Sequence, residues 1–176
     1  MVIFPKPPRE IETERLLLRA RDVNQAREMF ALIQSSREHL RPWMPWEEQT
    51  KSVDDSKDYL ALATNWWETG RNFDFSVYEK KSGEMIGSFG LHTIDWANRS
   101  CHVGFWMGAR FAGKGFVSEA LRRGEELARE LGFHRVVVTG VTKNPRRSRV
   151  AINIHSKLGS WMIAWIGGGP ATRFTS

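Results

Sequence analysis

The chain has 176 residues, 41% of them apolar and 26% charged, with a net charge of +6. This length suits one domain with a core of ordinary size, and the composition leaves little room for extensive disorder. The single cysteine excludes an intrachain disulfide, and no apolar run approaches the ~20 residues that cross a bilayer, which excludes a membrane span.

Residues 1–10 contain Pro5, Pro7 and Pro8, which favour an extended segment and interrupt any signal-peptide core, so a cytoplasmic location is expected. Residues 11–21, centred on Leu16-Leu17-Leu18, read as a first strand. Asp22 reads as the cap of a helix whose apolar positions are Ala26, Met29, Phe30, Leu32 and Ile33. The stretch His39-Leu40-Arg41-Pro42-Trp43-Met44-Pro45-Trp46 reads as a loop because two prolines interrupt it. A second helix is expected from Asp54 or Asp55, carrying Tyr59, Leu60, Leu62, Ala63 and Trp66-Trp67 and ending at Gly70. Phe73 to Tyr78 alternates apolar with polar residues, the pattern of a half-buried strand, and Lys81-Ser82-Gly83 reads as a hairpin turn. Met85 to Ile94 forms the next strand, and Asp95-Trp96-Ala97-Asn98 turns the chain into another at 99–107.

The short apolar run Val103 to Met107 leads through Arg110-Phe111-Ala112-Gly113-Lys114-Gly115 into a helix. That helix carries Val117, Ala120, Leu121, Leu127 and Leu131 and stops at Gly132. Glycines let backbone N–H groups approach an anion closely, and a helix N-terminus adds partial positive charge. With Arg110 and Lys114 alongside, the loop is expected to hold the diphosphate of a cofactor. Arg135 to Val141 is β-branched and reads as a buried central strand, followed by a last helix. The order is that of one α/β domain with a mixed sheet and no repeat or linker. Basic residues gather near the loop (Arg110, Lys114, Arg122, Arg123) and after the last strand (Lys143, Arg146, Arg147, Arg149). A polyanionic cofactor uses such a rim; the stripe with interleaved aromatics that suits nucleic acid is missing, and no nucleic-acid partner is expected.

The spacing Arg110-x-x-Gly113-x-Gly115, followed by Ser118, Glu119 and Ala120, resembles the acetyl-CoA loop of the GCN5-related N-acetyltransferases (the GNAT family). Within that family it is similar to the branch that acetylates ribosomal-protein N-termini. The resemblance takes in Glu14-Arg15-Leu16-Leu17-Leu18-Arg19, the segment Leu40 to Trp46, Ile86-Gly87 leading to Gly90-Leu91-His92, and Asp95-Trp96-Ala97-Asn98-Arg99. It implies an α/β (α+β) domain over residues 11–159 with a mixed, mostly antiparallel sheet flanked by helices. The strands at 99–107 and 134–141 would run parallel and splay apart, forming a cofactor slot. The pantetheine arm of acetyl-CoA would lie there against the backbone from Phe105 to Met107, where an N–H can polarise the thioester carbonyl. Arg110, Phe111, Ala112, Gly113, Lys114, Gly115 and Phe116 would hold the diphosphate, and Asn144 would also bind the cofactor. No metal is implied.

Acetyl transfer to an amine needs a neutral nucleophile, a stabilised oxyanion and a proton for the departing thiolate. Relatives often place a Glu two positions ahead of the Gly-aromatic-Trp stretch; here His102 stands there, and histidine titrates in a useful range. His102 is therefore the candidate base, against the alternative of a solvent-facing or gap-filling histidine. His92 would line the acceptor pocket or serve a structural role. Asp95 and Glu119 are explained as a turn aspartate and a helix N-terminal carboxylate. The family's Asn-x-x-Ser pattern is met by Asn144, but Ser148, the candidate general acid, stands four positions on, about 100° of helical rotation away. A helix cap is its alternative. Trp43 and Trp46 would wall the acceptor cleft, with core packing as the competing role.

After Ser148 the resemblance fades, through divergence or a shift in reading frame. The tail, residues 160–176, contains Trp161, Ile163, Trp165 and Ile166 but no alternating strand long enough to finish a sheet. Such an apolar tail would seek a partner subunit, a second copy of the chain included. The implied activity is transfer of acetyl from acetyl-CoA to a primary amine, above all a protein N-terminal amine of the ribosomal-protein type. A small-molecule amine acetyltransferase and a catalytically impaired acetyl-CoA-binding protein are the alternatives.

Overall fold

A computed structural model describes residues 4–141, 161–166 and 172–173. Among these, eight strands form one sheet in chain order: β1 (Glu10–Glu12), β2 (Leu16–Ala20), β3 (Phe73–Glu79), β4 (Met85–Asp95), β5 (Ser100–Met107), β6 (Arg135–Val141), β7 (Trp161–Ile166) and β8 (Thr172–Arg173). Strands β1 to β5 are an antiparallel meander, β5–β6 and β6–β7 are parallel, and β7–β8 is antiparallel. The helices are α1 (Ala26–Gln34), the single turn α2 (Arg37–Leu40), α3 (Val53–Glu68) and α4 (Phe116–Glu130). The sheet is mixed and mostly antiparallel, as expected. No helix among the described residues is long and apolar enough to cross a membrane.

Several local readings change. The first strand is a hairpin: Thr13 donates from its N–H to the Leu16 carbonyl and accepts the Leu16 N–H on its hydroxyl, folding Ile11 against Leu18. The cap of α3 is Ser52, in a reciprocal box with Asp55, two residues ahead of the expected start. The proline-interrupted stretch is α2 followed by a short 3-10 helix, Pro45–Gln49, with Pro45 at its first turn, where the missing N–H costs nothing. Strand β3 is buried on both faces, so Asp74 and Ser76 are interior. The tail does supply a strand, pairing from Val136↔Trp161 to Val141↔Ile166. Parallel strands read as continuous apolar runs, which is why a search for alternation passes over it. The expected last helix falls on residues 142–160, outside the described residues.

Consecutive residues of β4 point to opposite faces of the sheet. Phe89 faces α4, where Gly124 lets the ring approach the helix; a Cβ there would stand 2.0 Å from Phe89 Cζ. Ser88 faces the other way, towards Arg21, which also reaches Met29 of α1 and stacks over Tyr59 of α3. The sheet is thus covered on both sides, by α4 on one and by groups from α1 and α3 on the other. Overpacking at Gly124 costs about 1–3 kcal/mol, which outweighs the ~1 kcal/mol of helix propensity that Ala gains over Gly. Gly124→Ala is therefore expected to lower the thermal unfolding midpoint; an unchanged or raised midpoint would contradict this packing.

Candidate active site

The pairing of β5 with β6 runs from Ser100↔Arg135 to Val103↔Val138 and then stops. Both strands continue, β5 to Met107 and β6 to Val141, with β6 still paired to β7. The two strands therefore part beyond Val103, which agrees with the expected slot. His102 lies at the closed end of the notch, and Phe105 and Met107 lie along its β5 side. At ~3.3 Å per residue, Met107 is roughly 16 Å further along the strand than His102.

Beyond Met107 the chain makes a 3-10 turn, Ala109–Phe111, and enters α4 through the exposed residues Gly113, Lys114 and Gly115. Gly113 and Gly115 have φ of +79° and +81°, values that L side chains rarely adopt. Gly115 is the N-cap of α4 and supplies no side-chain cap. The N–H groups of Phe116, Val117 and Ser118, in the first turn, have no acceptor within the helix. The glycine turn and the donors of the first helical turn therefore lie together, at the place the spacing singled out. Phe111 and Phe116 are buried beneath it, Ala112 is half-buried, and the Arg110 guanidinium and Lys114 ammonium lie over the Phe111 ring. Arg110 pairs with Glu84 at 2.6 Å and Arg123 with Glu130 at 3.1 Å, whereas Lys114 has no acidic partner among the described residues.

The loop is held from far away in sequence. Glu119, 8% exposed, accepts the Arg15 backbone N–H at 2.8 Å, the Arg15 Nε–H at 2.7 Å and the Thr13 hydroxyl. Arg15 Nη1 then donates to the Lys114 carbonyl at 3.0 Å, and its guanidinium covers the Phe116 ring. Burial alone would raise the Glu119 carboxyl, but these hydrogen bonds and the Arg15 charge hold it below the usual range. Glu119 is thus a structural carboxylate, as is Asp95, which accepts from the Asn98 backbone and amide groups.

His102 and His92 are register partners on β5 and β4. With Asp74, Gly90 and Gly104 they lie on the Ser88 face of the sheet, where Trp106 packs on Trp46 with ring centroids 5.6 Å apart. Trp43 is half-buried in the same segment. That segment is anchored by Glu47, fully buried, which pairs with Arg37 at 2.7 Å and Arg41 at 3.5 Å. The Arg37 hydrogen bond holds the Glu47 carboxyl below the usual range. Burial, the Arg135 guanidinium and neighbouring His92 keep His102 below the ordinary histidine value, so its neutral, proton-accepting form prevails at neutral pH. Cys101 is buried, which pushes its thiol up to about 12 and makes a thiolate nucleophile untenable. A depression of about 520 Å³ is lined by Gln34 to His39, Arg41 and Ala109, and neither His92 nor His102 is part of it.

The structure thus joins His102, His92 and Trp46 on one face, and Arg110 to Phe116 at the notch mouth. Asn144 and Ser148 lie outside the described residues. Thr13, Arg15, Arg37, Glu47 and Asp74 were not singled out from sequence. Their partners are distant or their burial contradicts the local pattern; only Glu119 and the Glu14-Arg15 motif hinted at the clamp.

Comparison with known proteins bears on this arrangement. The chain is 25% identical over 145 residues to a putative ribosomal N-acetyltransferase, YdaF, of Bacillus subtilis, covering 78% of this chain and 75% of that protein. It is 23% identical to the ribosomal-protein-serine acetyltransferase of Escherichia coli, covering 80% and 78%. Among solved structures it is similar to a ribosomal alpha-N-protein acetyltransferase, RimL, in complex with coenzyme A (TM-score 0.78, 20% identity, 83% and 82% covered). It is also similar to a microcin self-immunity acetyltransferase, MccE, in complex with acetyl-CoA and AMP (TM-score 0.77, 21% identity, 83% and 81% covered). At these identities the structures speak for the fold. The family profile described as "Acetyltransferase (GNAT) domain" matches residues 15–157.

Removing the Glu119 carboxylate by Glu119→Ala strips acceptors from Thr13 and Arg15 and should cost roughly 1.5–3 kcal/mol at neutral pH. Because the folded carboxyl is depressed, its contribution is fully present above the unfolded value of about 4.3 and is lost as pH falls through the folded value. Denaturant titrations at neutral and acid pH should show the wild-type advantage shrinking below that point; a pH-independent difference would contradict the clamp.

Proposed function

The chain belongs to the acetyltransferase (GNAT) family, and from that premise we propose that it transfers acetyl from acetyl-CoA to a protein N-terminal α-amine of the ribosomal-protein type. The observation that carries the cofactor assignment is the pair of left-handed glycines opening the first turn of α4 at the mouth of the β5–β6 notch. A Cβ added at Gly113 would meet nothing within 4 Å and one at Gly115 only Arg15 Nη2 at 3.4 Å, so the space beside both glycines is open for a diphosphate to reach the backbone. These residues fit the group: Arg110 to Phe116 would hold its phosphates, with Asn144 as a further ligand, and Phe105 and Met107 would flank its arm. When bound, acetyl-CoA supplies the activated acyl group.

The chain's own residues then do the rest. Backbone donors of β5 orient the carbonyl and stabilise charge that develops on its oxygen. His102, at the closed end of the notch, takes the proton from the amine directly or through one water. An α-amine near 7.7–8.0 needs only a modest base. Ser148 is assigned the return of a proton to the leaving thiolate. Trp43, Trp46 and His92 line the acceptor side. The named relatives that act on ribosomal proteins support this acceptor class, and the buried Cys101 supports direct transfer without an acyl-enzyme.

Thiol release is to be followed with peptides bearing free or blocked N-termini and with polyamines. Transfer to free N-termini supports the proposal, and transfer confined to small amines would replace it with a small-molecule acetyltransferase. Coenzyme A binding without turnover on any amine would indicate an impaired binder. Gly115→Val should weaken coenzyme A binding by calorimetry at least about tenfold, through strain at positive φ and a blocked amide cradle. In the acid limb of kcat/KM, His102→Gln should turn a two-proton dependence into the one-proton dependence of the amine itself; an unchanged limb would remove His102 from the base role.

A further inference from the structure

Asp74 is 1% exposed, and neither carboxylate oxygen has a hydrogen-bond partner among the described residues. A buried carboxylate without donors is costly, and an apolar residue of similar size would spare that cost. A donor approaches from the adjacent strand: His92 Nε2 stands 3.3 Å from Asp74 Oδ1. The sheet makes room for this approach. Asp74, Gly90 and Gly104 form one row across β3, β4 and β5, and the His92 ring lies over the two glycines. A Cβ on Gly90 would stand 2.2 Å from Asp74 Oδ1 and 2.9 Å from His92 Nε2, and one on Gly104 would stand 2.9 Å from Nε2. Any side chain at either position would push the ring off the carboxylate.

Resting on the acetyltransferase reading above, we infer that Asp74 is a positioning residue for His92, and that the pair orients the acceptor amine. A carboxylate can only accept, so the neutral imidazole facing it carries its proton on Nε2 and keeps its lone pair on Nδ1. Nδ1 then accepts an N–H of the incoming amine, beside His102 in the opposing register position. The groups around the pair are Arg21 and Tyr59, which close the buried side of Asp74, and His102 across from His92. Arg21 donates from Nη2 to Ser88 and from Nη1 to Met29 Sδ, its Nε is left without a partner, and none of these donors takes up an Asp74 oxygen. His92 is itself only partly covered, so the ring links an interior carboxylate to an open face.

The test is imidazole nitrogen NMR on the whole protein above pH ~8, where an ordinary histidine is neutral, beside kinetics and coenzyme A calorimetry. The expected wild-type signal for His92 is the Nε2–H tautomer, with Asp74→Leu, which removes every acceptor, increasing the Nδ1–H form. Asp74→Asn and His92→Gln should each raise the acceptor KM about tenfold to a hundredfold, leave coenzyme A affinity unchanged, and add no further loss when combined. An Nδ1–H tautomer in the wild type, an unchanged tautomer in Asp74→Leu, or additive kinetic losses would overturn the pair. The expected tautomer in a protein that transfers no acetyl would support the pair while sinking the acetyltransferase reading.

Discussion

A parallel ladder that ends while both of its strands continue opens a notch in the sheet, and this chain builds its candidate site on one. The last β5–β6 pair is Val103↔Val138, and both strands run on past it. The end of β5 at Met107 delivers the chain to the glycine turn, and α4 starts there with no side-chain cap and with first-turn N–H groups that have no acceptor within the helix. The same ladder end puts His102 at the closed end of the notch. One interruption of pairing therefore sets the distance between a candidate anion grip and a titratable group.

The mouth of the notch is tied down by residues distant in sequence. Glu119 on α4 gathers Thr13 and Arg15 from the β1–β2 turn, and Arg15 reaches the Lys114 carbonyl. A loop of glycines loses much conformational freedom on ordering. Fixing one of its carbonyls to a partly buried ion pair offsets part of that loss before any ligand arrives. The Trp46 segment is treated alike, with Glu47 buried between Arg37 and Arg41. Both anchors are carboxylates held ionised by guanidinium donors, and each secures a glycine- or proline-rich stretch beside the notch.

Much of this was legible in the residues. The strands β3 to β5, helix α4 and the loop between them follow from period, turn chemistry and capping, all of which act within a few positions. What stayed hidden is long-range. The hairpin at Thr13 depends on Glu119, more than a hundred positions away. Asp74 reads as an outward polar residue of an alternating strand, and only the packing of Arg21 and Tyr59 on that face makes it interior. Strand β7 was passed over because a parallel strand lacks alternation. The resemblance to acetyltransferases drew attention to the loop because backbone geometry there demands glycine, a signal that survives low identity.

The two faces of the sheet divide the work: α4 and Phe89 form a packed support, whereas the Ser88 face holds polar groups, histidines and tryptophans. The claim on which the account turns is that the amides from Gly113 to Ser118 grip a diphosphate at the notch mouth. Backbone amide NMR during titration with coenzyme A tests this most directly. The account predicts that the Gly113, Gly115 and Phe116 amides shift first and farthest, followed by β5 beyond Val103. Saturable binding that leaves those amides unmoved, or no binding at all, would contradict it.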